Sequence, residues 1–283
     1  MLEVLKQNNF QFNKKFGQNF IFDTNLLNAI VNDAGVESNT NVLEIGPGAG
    51  TLTKKLCEKA KKVVSYEIDT NLKPILSENL KDCNNSEIVF GDILKQKTLD
   101  IESNFDGEYV MVANLPYYIT TPIIFKFLEE ATKLKSITIM VQKEVAERIC
   151  AKHNTVDYGA ITVQIGAIAD AKITRIVKRN MFKPAPNVDS AVVRIDFNLS
   201  KHNIVDLSLF KKVVTSAFAM RRKTLSNNLK STFGLSNDDI ATLFNKSNLD
   251  LNVRGEALSV EQFVVLANNL KDREGLGCLK LAK

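Results

Sequence analysis

The sequence predicts a doubly wound α/β domain with a mainly parallel, seven-stranded sheet, followed by a small all-helical domain. Three observations carry this expectation. Short apolar runs alternate with helical patterns through roughly the first 200 residues, which is how βαβ units read. One of the first runs ends in the glycine-rich turn Gly46-Pro47-Gly48-Ala49-Gly50. Beyond about Asn198 the short apolar runs stop and only helical periodicity remains.

The elements follow in order. The N-terminal arm, through Lys14-Lys15-Phe16-Gly17-Gln18-Asn19-Phe20, has no sustained period. Asp23 is a helix N-cap, with Leu26, Leu27, Ile30 and Val31 on one face of the helix it opens. Strands are expected at Asn41–Ile45, Lys62–Ile68, Glu87–Phe90, Tyr109–Ala113 and Ser136–Val141. Lys172–Val177 and Val188–Phe197 add two more, with no long helix between them, so they are able to pair antiparallel and close one edge. Lys201-His202-Asn203 reads as a linker, which divides the chain into domains at 1–200 and 201–283. In the second domain Leu207–Lys230 reads as one long helix. Ser236 and Ser259 are N-caps, the latter with Gln262 three residues on, as in a capping box.

Composition narrows the class. At 283 residues, 45% hydrophobic and 24% charged, the chain has the make-up of a soluble globular protein. No apolar run is long enough for a membrane span, and Met1-Leu2-Glu3-Val4-Leu5-Lys6 is too short and interrupted for a signal peptide. Cys57, Cys83, Cys150 and Cys278 are scattered without metal spacing and are expected as reduced thiols in a cytoplasmic protein. His153 and His202 lie in polar stretches and read as loop residues rather than ligands, so no metal is expected. The net charge of +5 is unevenly placed. Residues 201–283 hold 13 basic and 8 acidic side chains, while the first 200 residues balance at 24 of each. A neutral body with a basic C-terminal part suits an enzyme acting on a polyanion.

Two strand ends carry the chemistry. Glycines at Gly46, Gly48 and Gly50 let the backbone turn sharply and approach a nucleotide-like cofactor. Thr51 stands where the third glycine of a dinucleotide-binding fingerprint belongs, which weakens the dehydrogenase reading. Glu67 ends the next strand, 17 residues after Gly50, where a carboxylate accepts both ribose hydroxyls of either cofactor type. Asp92, after the third strand, is suited to accept an adenine amino group, with Ile93 against the ring. The second strand end is Asn114-Leu115-Pro116-Tyr117. An aromatic amino group is a poor nucleophile, because its lone pair is delocalised. The Asn114 side-chain oxygen and the Leu115 carbonyl, aimed by Pro116, can accept its N–H groups and support the charge that grows on nitrogen. Tyr117 offers a face for the base, and Phe182 in the Pro184/Pro186 loop a second one. The combination points to methyl transfer from S-adenosylmethionine (SAM) to an exocyclic nitrogen of a nucleobase, on a Rossmann-like methyltransferase domain.

These motifs, with Phe16-Gly17-Gln18-Asn19-Phe20, Gln142-Lys143-Glu144-Val145, Pro184-Ala185-Pro186-Asn187-Val188-Asp189-Ser190 and Arg221-Arg222-Lys223-Thr224-Leu225, resemble the KsgA/RsmA family of small-subunit rRNA adenine N6-dimethyltransferases. The resemblance implies transfer of two methyls to N6 of each of two adjacent adenosines near the 3′ end of 16S rRNA, in an immature 30S subunit, by a monomer. It implies that Asn19 and Ile21 of the arm join Gly46, Glu67, Asp92 and Asn114 around SAM. It also raises Phe182 as a base clamp. Arg221, Arg222 and Lys223 are expected on a basic stripe of the long helix, against RNA phosphate. Rival readings are an Erm-like large-subunit rRNA methyltransferase, a ribosome-assembly factor in which binding outweighs catalysis, and a DNA adenine methyltransferase, whose usual motif has a proline where Leu115 stands.

Overall fold

A computed structural model describes residues 19–116 and 119–274. Five strands are laid down in chain order: β1 (Phe20–Ile21), β2 (Asn41–Ile45), β3 (Lys62–Glu67), β4 (Ser86–Phe90) and β5 (Tyr109–Asn114). They are followed by β6 (Leu134–Gln142), β7 (Ala169–Val177), β8 (Phe182–Lys183) and β9 (Ser190–Phe197). Seven of them form one sheet in the order β4-β3-β2-β5-β6-β9-β7, and β1 and β8 form a separate pair.

β2 pairs parallel with both β3 and β5, and β5 parallel with β6. All five residues of β2 are buried, as are Tyr109–Ala113 of β5, because helices cover both faces of a parallel sheet. The strand order reverses between β2 and β5, since the chain runs outward from β2 to β3 and β4 before returning. Open sheets of this kind bind ligands beyond the carboxyl ends at that reversal. β9 lies between β6 and β7, and its antiparallel pairing with β6 runs from Ser136↔Asp196 to Gln142↔Ser190.

Helix α1 (Thr24–Asp33) starts where expected: the Asp23 carboxylate accepts from Leu26 N at 2.7 Å, and Leu27, Ile30 and Val31 are buried with Leu26 half-buried beside them. Helix α2 (Thr51–Cys57) follows the glycine turn.

Contacts divide the chain into two compact units. The first holds residues up to Ala146 together with Lys172–Phe197, and the second holds Glu147–Ala171 and the chain from Asn198 on. The segment 147–171, ahead of the sequence-based division at residue 200, thus clusters with the C-terminal helices. Tyr158 explains the attachment. Its hydroxyl donates to the Leu258 carbonyl at 2.8 Å, and its ring meets Phe218 edge-on at 5.9 Å.

The expected long helix Leu207–Lys230 is corrected to two: α3 (Leu207–Ala217) and α4 (Leu225–Phe233). The break has a local cause. Thr224 is extended and caps α4 by accepting from Asn227 N, and Asn228 donates its side-chain amide to the carbonyls of Ala217 and Met220. That satisfies carbonyls which a continuing helix would have bonded. The expected caps at Ser236 and Ser259 are both present, with Asp239 and Gln262 reaching back to the respective cap nitrogens. Gly255 is required where it stands: a Cβ there would lie 2.8 Å from the Ala217 carbonyl oxygen.

Candidate active site

At the β2–β5 reversal lies a cavity of about 520 Å³. Three features of the chain build it. The turn after β2 puts Gly46 at φ 71° and Gly48 at φ 58°, left-handed conformations that L side chains rarely adopt. Gly48 has a second constraint, since a Cβ would stand 2.7 Å from the Phe20 ring. The antiparallel pair β1–β8, with Phe20↔Lys183 and Ile21↔Phe182, brings the N-terminal arm and the proline-rich loop to the same wall. Between them, the Asn114 side-chain nitrogen at the end of β5 donates to the Asn19 carbonyl at 3.1 Å.

That bond fixes the orientation of the Asn114 amide, because a carbonyl accepts only from the nitrogen end. The side-chain oxygen is left as the acceptor of the group. Downstream, the Pro116 carbonyl is taken up by Ile119 N at 3.2 Å and by the Thr120 hydroxyl at 3.4 Å, which closes a tight turn after Leu115.

Among the described residues no salt bridge reaches Glu44, Glu67 or Asp92. Glu67 is buried, and its two oxygens accept from Gly48 N at 3.1 Å and Asp69 N at 2.8 Å. Burial raises its pKa against the pull of those two amides. Glu44 sits one strand over, opposite Ser65, whose hydroxyl donates to it at 2.7 Å. Its other oxygen is buried and, among the described residues, meets no hydrogen bond of good geometry, though the Thr53 hydroxyl stands near enough to ease its ionisation. Burial, with a contribution from nearby Glu67, pushes the Glu44 carboxyl up to about 7. Asp92 is half-buried and accepts from Leu94 N at 3.0 Å.

The structure brings the sequence-predicted residues of the first unit to one cavity. Asn19, Ile21, Gly46, Gly48, Glu67 and Asp92 line it. Asn114, Leu115, Pro116 and Phe182 line it as well. Phe182 is almost fully buried and packs with Ile21 and Leu27 as part of the core. Tyr117 lies outside the described residues. Sequence reasoning missed Phe20 and Ile119, which also line the cavity. Phe20 is half of the contact that forbids a side chain at Gly48, yet its pairing partner is 163 residues away and leaves no local pattern.

Arg221, Arg222 and Lys223 lie in the turn between α3 and α4, not on the face of one long helix as expected. Arg221 is engaged: its guanidinium donates to the carbonyls of Val156 at 2.7 Å and Tyr158 at 2.9 Å. Arg222 and Lys223 are exposed. Among the described residues there is no group of His, Cys, Asp and Glu that holds a metal, and no helix long and apolar enough to cross a membrane.

The family model for ribosomal RNA adenine dimethylase matches residues 9–272. The chain belongs to that family. A ribosomal RNA small subunit methyltransferase A of Clostridium acetobutylicum is 44% identical over 272 residues, covering 95% of this chain and 97% of the relative. The protein of the same name from Bacillus licheniformis is 43% identical over 277 residues, with 95% of each chain covered. Among solved structures, a dimethyladenosine transferase from Plasmodium falciparum superposes with a TM-score of 0.74 at 25% identity, over 90% of this chain and 98% of that one. The 23S rRNA methyltransferase ErmE gives 0.69 at 27% identity, over 89% and 100%.

Proposed function

We propose that the chain transfers methyl groups from SAM to N6 of two adjacent adenosines near the 3′ end of 16S rRNA, two to each, in an immature 30S subunit. In this reading it acts in the cytoplasm, as a monomer, during small-subunit biogenesis. The observation that carries the reading is the Asn114 amide, held by the Asn19 carbonyl with its oxygen left to accept. The small-subunit assignment is supported by relatives at 43–44% identity, against 27% for the large-subunit enzyme.

The donor set fits SAM. A glycine turn that leaves room for close approach at Gly46 and a carboxylate at Glu67 facing the cavity suit a nucleoside that carries positive charge. When bound, SAM would supply an electrophilic methyl on a sulfonium, the C–S bond breaking as N6 takes the methyl and its electron pair staying on the departing neutral thioether. The chain's own residues act on the base. Asn114 Oδ1 and the Leu115 carbonyl accept the two N6–H bonds and favour a tetrahedral nitrogen with its lone pair aimed at the methyl. As the new C–N bond forms, these acceptors stabilise the positive charge on N6. The proton then leaves to water, since alkylation has made it acidic, and no histidine is required. Pro116 sets the turn that aims the Leu115 carbonyl. Tyr117 and Phe182 flank the base after it leaves its stack.

The test is methyl transfer from labelled SAM to separated small and large subunits lacking these methyls, followed by mapping of the modified base. Label on adjacent small-subunit adenosines is expected. Label on large-subunit rRNA alone replaces the reading with the Erm-like one, and label on neither removes it.

A further inference from the structure

We infer that Arg179 and Lys183, on the catalytic unit itself, hold the RNA phosphates that flank the base entering the cavity. The inference rests on the proposed methylation of an RNA base.

Topology sets the approach of the strand. The cofactor residues lie beyond β2, β3 and β4, where Glu67 and Asp92 repel phosphate. Asn114 ends β5, at the far limit of that half. A polyanion with a base beside Asn114 therefore comes in over the other half of the same edge, beyond β6 and β9. Because β9 runs antiparallel to β6, its start lies at this edge: Gln142 pairs with Ser190, and Lys143 N donates to the Asp189 carbonyl at 3.0 Å.

The loop from Lys178 to Asn187 rises from that place. It carries three cations and no acid. Asp189 binds it down, taking Lys178 Nζ at 2.9 Å and Arg179 N at 3.0 Å. This one acid is thus taken up mainly by Lys178 and the backbone, with the Arg179 charge adding a weaker pull through space. The side chains of Arg179 and Lys183 are exposed, and among the described residues neither forms an ion pair. Between them Phe182 turns inward to line the cavity, while Lys183, the next residue of β8, turns outward. Alternation along a strand thus joins a base-facing ring to a solvent-facing ammonium. A nucleotide whose base meets Phe182 has its phosphates on the solvent side, where the two cations stand. Such contacts set register and affinity without reading sequence.

The experiment compares the wild-type chain with Arg179→Gln, Lys183→Gln and the double variant. Small-subunit binding is titrated against salt, and methyl transfer is measured with SAM saturating. Each lost phosphate contact lowers the slope of log K against log salt by about 0.7 on single-stranded RNA. The double variant is expected to flatten the slope by more than about 1. It should raise the KM for subunits several-fold and leave kcat and SAM affinity near wild type, with Arg179→Lys and Lys183→Arg restoring the slope. Arg222→Gln/Lys223→Gln serves as a comparison of the same charge change on the other unit. An unchanged slope and KM in the double variant overturns the inference while leaving base methylation standing. If the wild type places no methyl on adenine N6, that reading falls instead, and the binding slope still decides whether the two cations hold RNA.

Discussion

The two edges of the central sheet are built from the same residue types and handle charge in opposite ways. At the amino ends of the strands three acids meet cations. Lys61 meets Asp106, Lys135 meets Glu108 at 3.0 Å, and Lys62 meets Glu87 at 3.6 Å. The Lys61 ammonium and the Asn41 amide hold the exposed Asp106 carboxyl down to about 2. At the carboxyl ends Glu67 is held by backbone amides and Glu44 by one hydroxyl. There burial dominates, and both carboxyls are raised. One edge neutralises itself internally. The other holds Glu67, which lines the cavity and is pushed by burial toward its neutral form, in reserve for a ligand whose positive charge would favour its ionisation.

The sharpest way to break this contrast is at Asn114. Asn114→Ala removes the proposed acceptor for N6 and the tie to Asn19. By analogy with lost transition-state hydrogen bonds, methyl transfer is expected to fall by about 10² or more. Circular dichroism should show the fold intact, because Asn114 is half-buried at a strand end. Wild-type turnover in a single-turnover assay would remove Asn114 from the chemistry.

Glu67→Gln is next. It keeps an oxygen for one of the two backbone amides and discards the charge. Hydrogen bonds to a charged group are worth about 1.5–3 kcal/mol, so SAM affinity by calorimetry should drop roughly 10- to 100-fold. Affinity within twofold of wild type would mean that the reserve of charge at this edge is not used by the cofactor.

Glu44 sharpens the comparison through pH. Its folded pKa of about 7 lies above the ordinary glutamate value of 4.5, so between the two the folded state holds a proton that the unfolded chain has lost. The stability it contributes is full below about pH 4.5 and is lost as pH rises through 7, roughly 3 kcal/mol in all. Glu44→Gln removes that titration. The new amide nitrogen gives back about 1–3 kcal/mol if it finds no acceptor. The expected outcome in denaturant melts is a flatter profile between pH 5 and 8, with the variant gaining on wild type as pH rises. Parallel profiles would show that Glu44 is ionised throughout and that the orphaned oxygen has a partner in solution.

The residues on which these tests rest were legible to different degrees. The glycine turn, Glu67, Asp92 and Asn114 were visible because each ends a strand, and strands buried on both faces announce themselves as unbroken apolar runs. The caps at Asp23, Ser236 and Ser259 were visible because capping is a local contract over three residues. The break at Phe218–Thr224 was not. Apolar residues at Val213, Val214 and Ala217 continue in helical register to Leu225 and Leu229, with no Gly or Pro between, so periodicity ran through it. What decides the break is Asn228 bonding back to Ala217 and Met220. The attachment of 147–171 to the C-terminal unit was hidden for the same kind of reason, since Tyr158 finds Leu258 100 residues on. Phe20 was passed over because a two-residue pairing has no period at all.

The smallest effect belongs to the amino edge. Asp106→Asn removes the partner of Lys61 and keeps an oxygen to accept from Asn41. Both partners of the ion pair are substantially exposed, and exposed pairs contribute little once solvent screening and side-chain entropy are counted. Asp106 holds its proton only near pH 2, so the sign is set by its lowered pKa: whatever stability it contributes is present above the unfolded carboxylate range and fades as pH falls through about 2. At neutral pH the denaturant midpoint of Asp106→Asn should stay close to wild type, fall slightly further behind at low salt, and converge with wild type near pH 2. SAM affinity should not change. A large loss of stability, or any loss of SAM affinity, would mean that the two edges are coupled through the strands and that the self-neutralised edge also sets charge at the site.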